Sequence, residues 1–158
     1  MTTILALTVP PRMRYRLRQL PHGYRITISM RSSDAEDASA SLRSIDDISL
    51  DGAMHRLQDL VVSSYLTGVA PRDERFSTAT AALHSGRPGM RPLSGAARRL
   101  LESCAAELLE FCHGYARALR SLRAFALSNR VTLPDMPDHP LLRHAMEDME
   151  DEAVERMA

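Results

Sequence analysis

The chain has 158 residues, 44% of them hydrophobic and 25% charged, which is the size and mix of a single folded domain able to bury about 70% of its unfolded surface. Twenty basic residues balance twenty acids, which argues against a dedicated nucleic-acid protein with its usual basic excess, and no apolar run approaches a membrane span. With four Tyr, three Phe and no Trp, the core must be filled by Leu, Met, Ala and Ile.

The zero net charge is a sum of blocks. Residues 1–31 carry six Arg and no acid, and residues 32–60 two Arg and seven acids. Residues 61–130 carry ten Arg and five acids, and residues 131–158 two Arg and eight acids. Alternating blocks of this kind suit neutralisation within a fold or in a head-to-tail dimer. Every basic residue is Arg. A GC-rich genome would produce that, as would escape from Lys-directed modification. In either case the planar guanidinium suits two-pronged contacts with carboxylate or phosphate.

In chain order, "TILALTV" (residues 3–9) reads as a first strand closed by Pro10 and Pro11. In "RMRYRLRQLPHGYRITISMR" (residues 12–31) apolar and polar residues alternate with a period of two on both sides of a "LPHG" turn, the pattern of a hairpin with one buried face. The turn pairs Leu17 with Ile26, Tyr15 with Ile28 and Met13 with Met30. It also sets Arg18 against Arg25 and Arg12 against Arg31, and like charges directly opposed weaken a sheet. Arg12, Arg14, Arg16, Arg18, Arg25 and Arg31 then form one basic face. Phosphate, a partner's carboxylates or the chain's own acids would answer it.

Residues 32–47 are small, polar and acidic, and read as a loop able to fold back over the arginines. Asp51 is a candidate cap for a helix to about Thr67, ended by Gly68 and Pro71, with Leu50, Met54, Leu57, Val61 and Tyr65 as its apolar stripe. A shorter helix follows from about Asp73 to His84, stopped at Gly86, and "GRPGMRP" is a loop. Ser94 caps the dominant helix, residues 94–129. There Leu101, Leu108, Phe111, Tyr115, Leu122 and Phe125 repeat with three-four spacing, as a core stripe or a dimer seam. Gly114 inside that stripe suggests a close helix crossing. After "LPDMPDHP", Asp138 and Pro140 start a last helix with Leu142, Met146 and Met149 on one side. Glu147, Asp148, Glu150, Asp151 and Glu155 make its other surface acidic, a second candidate for partner binding.

Chemistry is poorly represented. "SGRPG" lacks the spacing and Lys of a phosphate loop. Cys104 and Cys112 lie eight residues apart on one helix, too far for a bridge or a shared metal with His113. His144 and Asp148 share a helix face, a weak signal for a metal. No Ser sits on a sharp turn beside an oxyanion donor. "MTTILALTV" lacks the basic start and long apolar run of a signal peptide, and free thiols fit a reducing compartment.

The sequence therefore predicts an α+β fold in one domain. Its sheet part is 1–31, its acidic loop 32–47 and its helical part 48–158, with a hairpin or three-stranded sheet packed on a bundle around one long helix. The expected function is non-enzymatic protein–protein interaction as an adaptor, chaperone or inhibitor. It would be homodimeric and cytoplasmic, away from membranes, with no catalytic residue, metal or cofactor. Nucleic-acid binding by the Arg-faced hairpin is the alternative.

Overall fold

The computed structural model describes residues 2–31, 39–84, 94–136 and 138–157, with the side chains at 31, 39–42 and 152–157 left out. Strands β1 (Thr2–Val9), β2 (Met13–Leu20), β3 (Gly23–Arg31) and β4 (Ser39–Asp47) precede helices α1 (Leu50–His84), α2 (Gly95–Ser128) and α3 (Pro140–Met157). The strands form an antiparallel meander in the order β1-β2-β3-β4. The class is α+β, with the sheet packed against the helices.

The β2–β3 hairpin has the register its alternation dictates: Met13 faces Met30, Tyr15 faces Ile28, Leu17 faces Ile26 and Arg18 faces Arg25. A slip by one residue would carry the arginines into the core, which makes this register strongly specified. Arg12 is a correction. It lies in the turn before β2, and Arg31 pairs with Ser39 on β4.

The expected acidic loop is also corrected. Residues 39–47 form β4, while residues 32–38 lie outside the described residues. On β4 the pairing passes from Arg43 opposite Ile28 to Ser41 opposite Ser29, stepping past Leu42. Such a bulge reverses which parity faces inward. Ile45 on one side of it and Ala40 on the other thus share no simple period, and nothing in the sequence reads as a strand.

One face of the sheet is the core. Leu7, Val9, Tyr15, Leu17, Ile26 and Ile28 are buried there together with Met54, Leu57, Val61 and Tyr65 of α1. Fully burying each such aliphatic side chain contributes about 1.5–3 kcal/mol. The phenols in this apolar layer are satisfied: Tyr15 Oη and Ser64 Oγ share a 2.5 Å hydrogen bond, and Tyr115 donates to Pro10 O at 3.0 Å. Burial, with Tyr15 close by, pushes the Tyr115 phenol up to about 12.

Helix α1 is continuous through Gly68 and Pro71, where the sequence predicted a break. Its cap is Ser49, whose Oγ accepts from Gly52 N at 3.0 Å, in place of Asp51. A proline inside a helix costs about 3 kcal/mol, and tertiary contacts offset it here. A Cβ at Gly68 would come 2.5 Å from Phe111 Cζ, so the glycine admits that ring. One residue past the proline, Arg72 donates to Gly68 O at 2.9 Å and lies 4.1 Å over the Phe111 ring. Glu107 of α2 then bridges Arg72 and Arg75. The expected stop at Gly86 and the loop from Gly86 to Pro92 fall outside the described residues.

Ser94 caps α2, its Oγ accepting from Ala97 N at 3.2 Å. What comes close at Gly114 is the turn between β1 and β2 and not a helix: a Cβ there would lie 2.7 Å from Pro10 Cδ. Helix α3 packs on α2 with Leu142 and Ala145 buried and Met146 and Met149 half-buried. No described helix is long and apolar enough to cross a membrane.

Candidate recognition face

The other face of the sheet is assembled row by row from the same registers. Thr3, Arg18, Arg25 and Asp46 lie across the four strands, then Ala6, Arg16, Thr27 and Ser44, then Thr8, Arg14, Ser29 and Ser41. Because side chains on one face recur every second residue, Arg14, Arg16 and Arg18 form a column on β2 at roughly 7 Å intervals. Small residues border Arg14 and Arg16 on both neighbouring strands; both arginines are half-buried, and Ser29 beside Arg14 is buried.

One of the arginines is answered within the chain. Arg25 donates through Nε to Asp46 Oδ1 at 2.7 Å and through Nη2 to Asp46 Oδ2 at 3.1 Å. That fork raises the guanidinium's pKa and lowers the carboxyl's. It also relieves the opposition of Arg18 and Arg25, since Asp46 stands one strand beyond Arg25. Among the described residues, no acid pairs with Arg14 or Arg16. Arg12 is exposed in its turn, and the side chain of Arg31 lies outside the described set.

Asp47, next to Asp46, does different work. It accepts from Ser49 N and, at 3.1 Å, from Arg56 Nε, joining the end of β4 to the start of α1. The Ser49 N–H holds its carboxyl below the ordinary range against the opposing effect of burial, with the Arg56 charge adding to the lowering.

The acidic helix is a separate surface. Glu147, Glu150 and Asp151 are exposed, Asp148 is partly so, and the Glu155 side chain is outside the described set. His144 Nε2 lies 3.4 Å from Asp148 Oδ2. Because α3 packs on α2, while α1 and α2 pack on the apolar face of the sheet, Glu147, Asp148, Glu150 and Asp151 do not cover Arg14 or Arg16. The stripe on α2 is mostly interior: Leu108, Phe111, Tyr115 and Leu122 are buried, and Leu101 and Phe125 are half-buried.

Sequence reasoning missed a cleft of about 500 Å³ between the β1–β2 turn and the two long helices, lined by Thr8, Pro10, Arg72, Glu110, Phe111 and Arg117. Its residues come from three distant segments, and reading Pro71 as a helix end hid the role of Arg72. Cys112 is buried beside Tyr65 and Cys104 is half-buried, both as free thiols. Burial pushes the Cys112 thiol up, a state that disfavours the reactive thiolate.

Set against known proteins, the chain matches no protein family, no curated protein and no solved structure. Function has to be read from the faces themselves.

Proposed function

We propose that this chain is a non-enzymatic protein–protein interaction module, an adaptor, chaperone or inhibitor, which receives an acidic segment of its partner on the outer face of the sheet. The observation that carries the reading is Arg14 and Arg16, side by side on β2 among small residues, with no acidic partner among the described residues. A guanidinium fork matches a carboxylate in two hydrogen bonds, as Arg25 already does with Asp46. Arg14 and Arg16 stand roughly 7 Å apart along one strand, with no acid beside them among the described residues, an arrangement that suits an anionic ligand. The two free thiols accord with action in the cytoplasm. Because four residues of the α2 stripe are consumed in the core, a dimer through that seam forms no part of the proposal.

Phosphate is the competing anion, and two features weigh against nucleic acid. Tyr15 is buried on the opposite face and Tyr24 shares its parity, leaving no aromatic beside the arginines on which a base can stack. The net charge is also zero.

A photo-crosslinking residue in place of Ala6, which is exposed and paired with Arg16, tests the reading in the source cell. A discrete protein adduct is expected at position 6, absent from a control at Glu102 and lost with Arg14→Gln and Arg16→Gln. Adducts to nucleic acid, or protein adducts indifferent to the two substitutions, would reject it.

A further inference from the structure

We propose that His139 is a proton-sensitive latch that holds the acidic helix α3 on the fold. His139 caps this helix twice. Its carbonyl accepts the first intrahelical bond, from Arg143 N at 2.9 Å, and its ring Nδ1 accepts from Leu141 N at 3.3 Å. The usual capping side chains are Ser, Thr, Asp and Asn, which accept at any physiological pH. An imidazole accepts only through an unprotonated nitrogen.

The Leu141 N–H fixes the rest of a buried chain. A backbone amide can only donate, so Nδ1 carries no proton and the neutral ring is protonated at Nε2. Tyr65 Oη lies 3.2 Å from the same Nδ1, so its O–H is the donor of that contact and shares the nitrogen's single lone pair with the Leu141 N–H. Cys112 Sγ, 3.8 Å from Tyr65 Oη, is left as the donor to the phenol oxygen. The order runs from Cys112 to Tyr65 to His139, with Leu141 closing on the same nitrogen. The imidazole also stands edge-on to the Tyr65 ring, with centroids 5.5 Å apart.

Protonation at Nδ1 breaks this arrangement. It sets two N–H donors against each other at Leu141 and forces the Tyr65 hydroxyl to turn. Among the described residues the turned O–H then has only the Cys112 sulfur to donate to. The charged groups around the latch come from every element that meets it. Asp135 and Asp138 on the preceding segment favour an imidazolium, whereas Arg123 of α2 and Arg143 of α3 oppose one. Arg143 also pairs with Asp138, which limits what that carboxylate can offer the ring. From α1 the ring meets Tyr65 itself and Gln58, whose amide is already committed to Pro134 O at 2.8 Å.

The sign is set by the geometry. The neutral ring holds α3 through the Nδ1 that accepts from Leu141 N, and protonation of that nitrogen weakens the hold. The two other histidines with contacts nearby behave differently. His55 Nε2 donates to Thr132 O at 2.8 Å, which either charge state allows, and protonated His144 would pair better with Asp148. Among His55, His139 and His144, His139 is thus the one whose contact is lost on protonation, and that loss frees the helix that carries Glu147, Glu150 and Asp151.

Hydrogen exchange of the full chain at pH 7.5 and pH 5.0, read as protection factors, tests the latch. Protection of the α3 amides is expected to fall roughly tenfold at pH 5.0, the scale of a lost cap, with the sheet amides unchanged. His139→Asn, which caps without titrating, should abolish the difference. Nitrogen-15 shifts of the wild-type imidazole read the tautomer without any variant and should report Nδ1 unprotonated at pH 7.5. A proton on Nδ1 at that pH, α3 protection indifferent to pH, or a drop that persists in His139→Asn would overturn the proposal.

Discussion

The two faces of the sheet come from one alternating pattern and have opposite relations to the fold. The inner face is largely filled: Leu7, Val9, Leu17, Ile26 and Ile28 are buried in one core with α1 and α2, and Tyr15 has found Ser64. The outer face is half answered, with Arg25 gripped by Asp46 while Arg14 and Arg16 have no acid among the described residues. The same period thus fixes where the core must be and leaves over a surface that the core does not explain. That residue of unexplained charge is what points to function.

The largest effect should come from the inner face. Leu17→Ala removes a side chain with 0% exposure and is expected to cost about 2–5 kcal/mol in urea unfolding. An equally large loss from any single outer-face arginine would erase the distinction between the faces.

A smaller effect is expected where the sheet's first turn meets α2. Gly114→Ala gains about 1 kcal/mol of helix propensity but drives a methyl into Pro10, and overpacking typically costs about 1–3 kcal/mol. A net loss of about 1 kcal/mol should appear as a lower Tm. Gly95→Ala, where the nearest atom is 3.8 Å away at Arg99 Nη2, should show no such loss.

The interior phenols give a pH signature. Burial raises both Tyr65 and Tyr115, the latter to about 12. An unfolded chain loses these protons near pH 10, so the folded state binds more protons between pH 10 and 12 and stability must fall as pH rises through that window. In an absorbance titration, the Tyr65 and Tyr115 phenols should remain protonated at pH 11 until the fold is lost.

Much of this architecture was legible from the residues. The hairpin register followed from Leu17, Tyr15 and Met13 meeting Ile26, Ile28 and Met30, and Ser94 was readable as a cap. β4 was not, because the bulge at Leu42 destroys its period and its acids suggest a loop. The continuity of α1 was hidden by Pro71, whose local penalty is overridden by Phe111 and Glu107 from another helix. Arg14 and Arg16 could be placed on a face from parity alone, whereas the pairing of Arg25 with Asp46 required β4. The contact of His139 with Tyr65 joins residues 74 apart in sequence, and no local pattern announces it.

The smallest expected effect is the most direct test. Urea unfolding of Arg14→Gln with Arg16→Gln, compared with wild type at low and moderate salt, asks whether these arginines belong to the fold. If the outer face is kept for a partner, the double variant should stay within about 0.5 kcal/mol of wild type, with any gain in stability largest at low salt as like charges are relieved. A loss of about 2 kcal/mol or more would show that the arginines hold the fold together, and the recognition face would have to be abandoned.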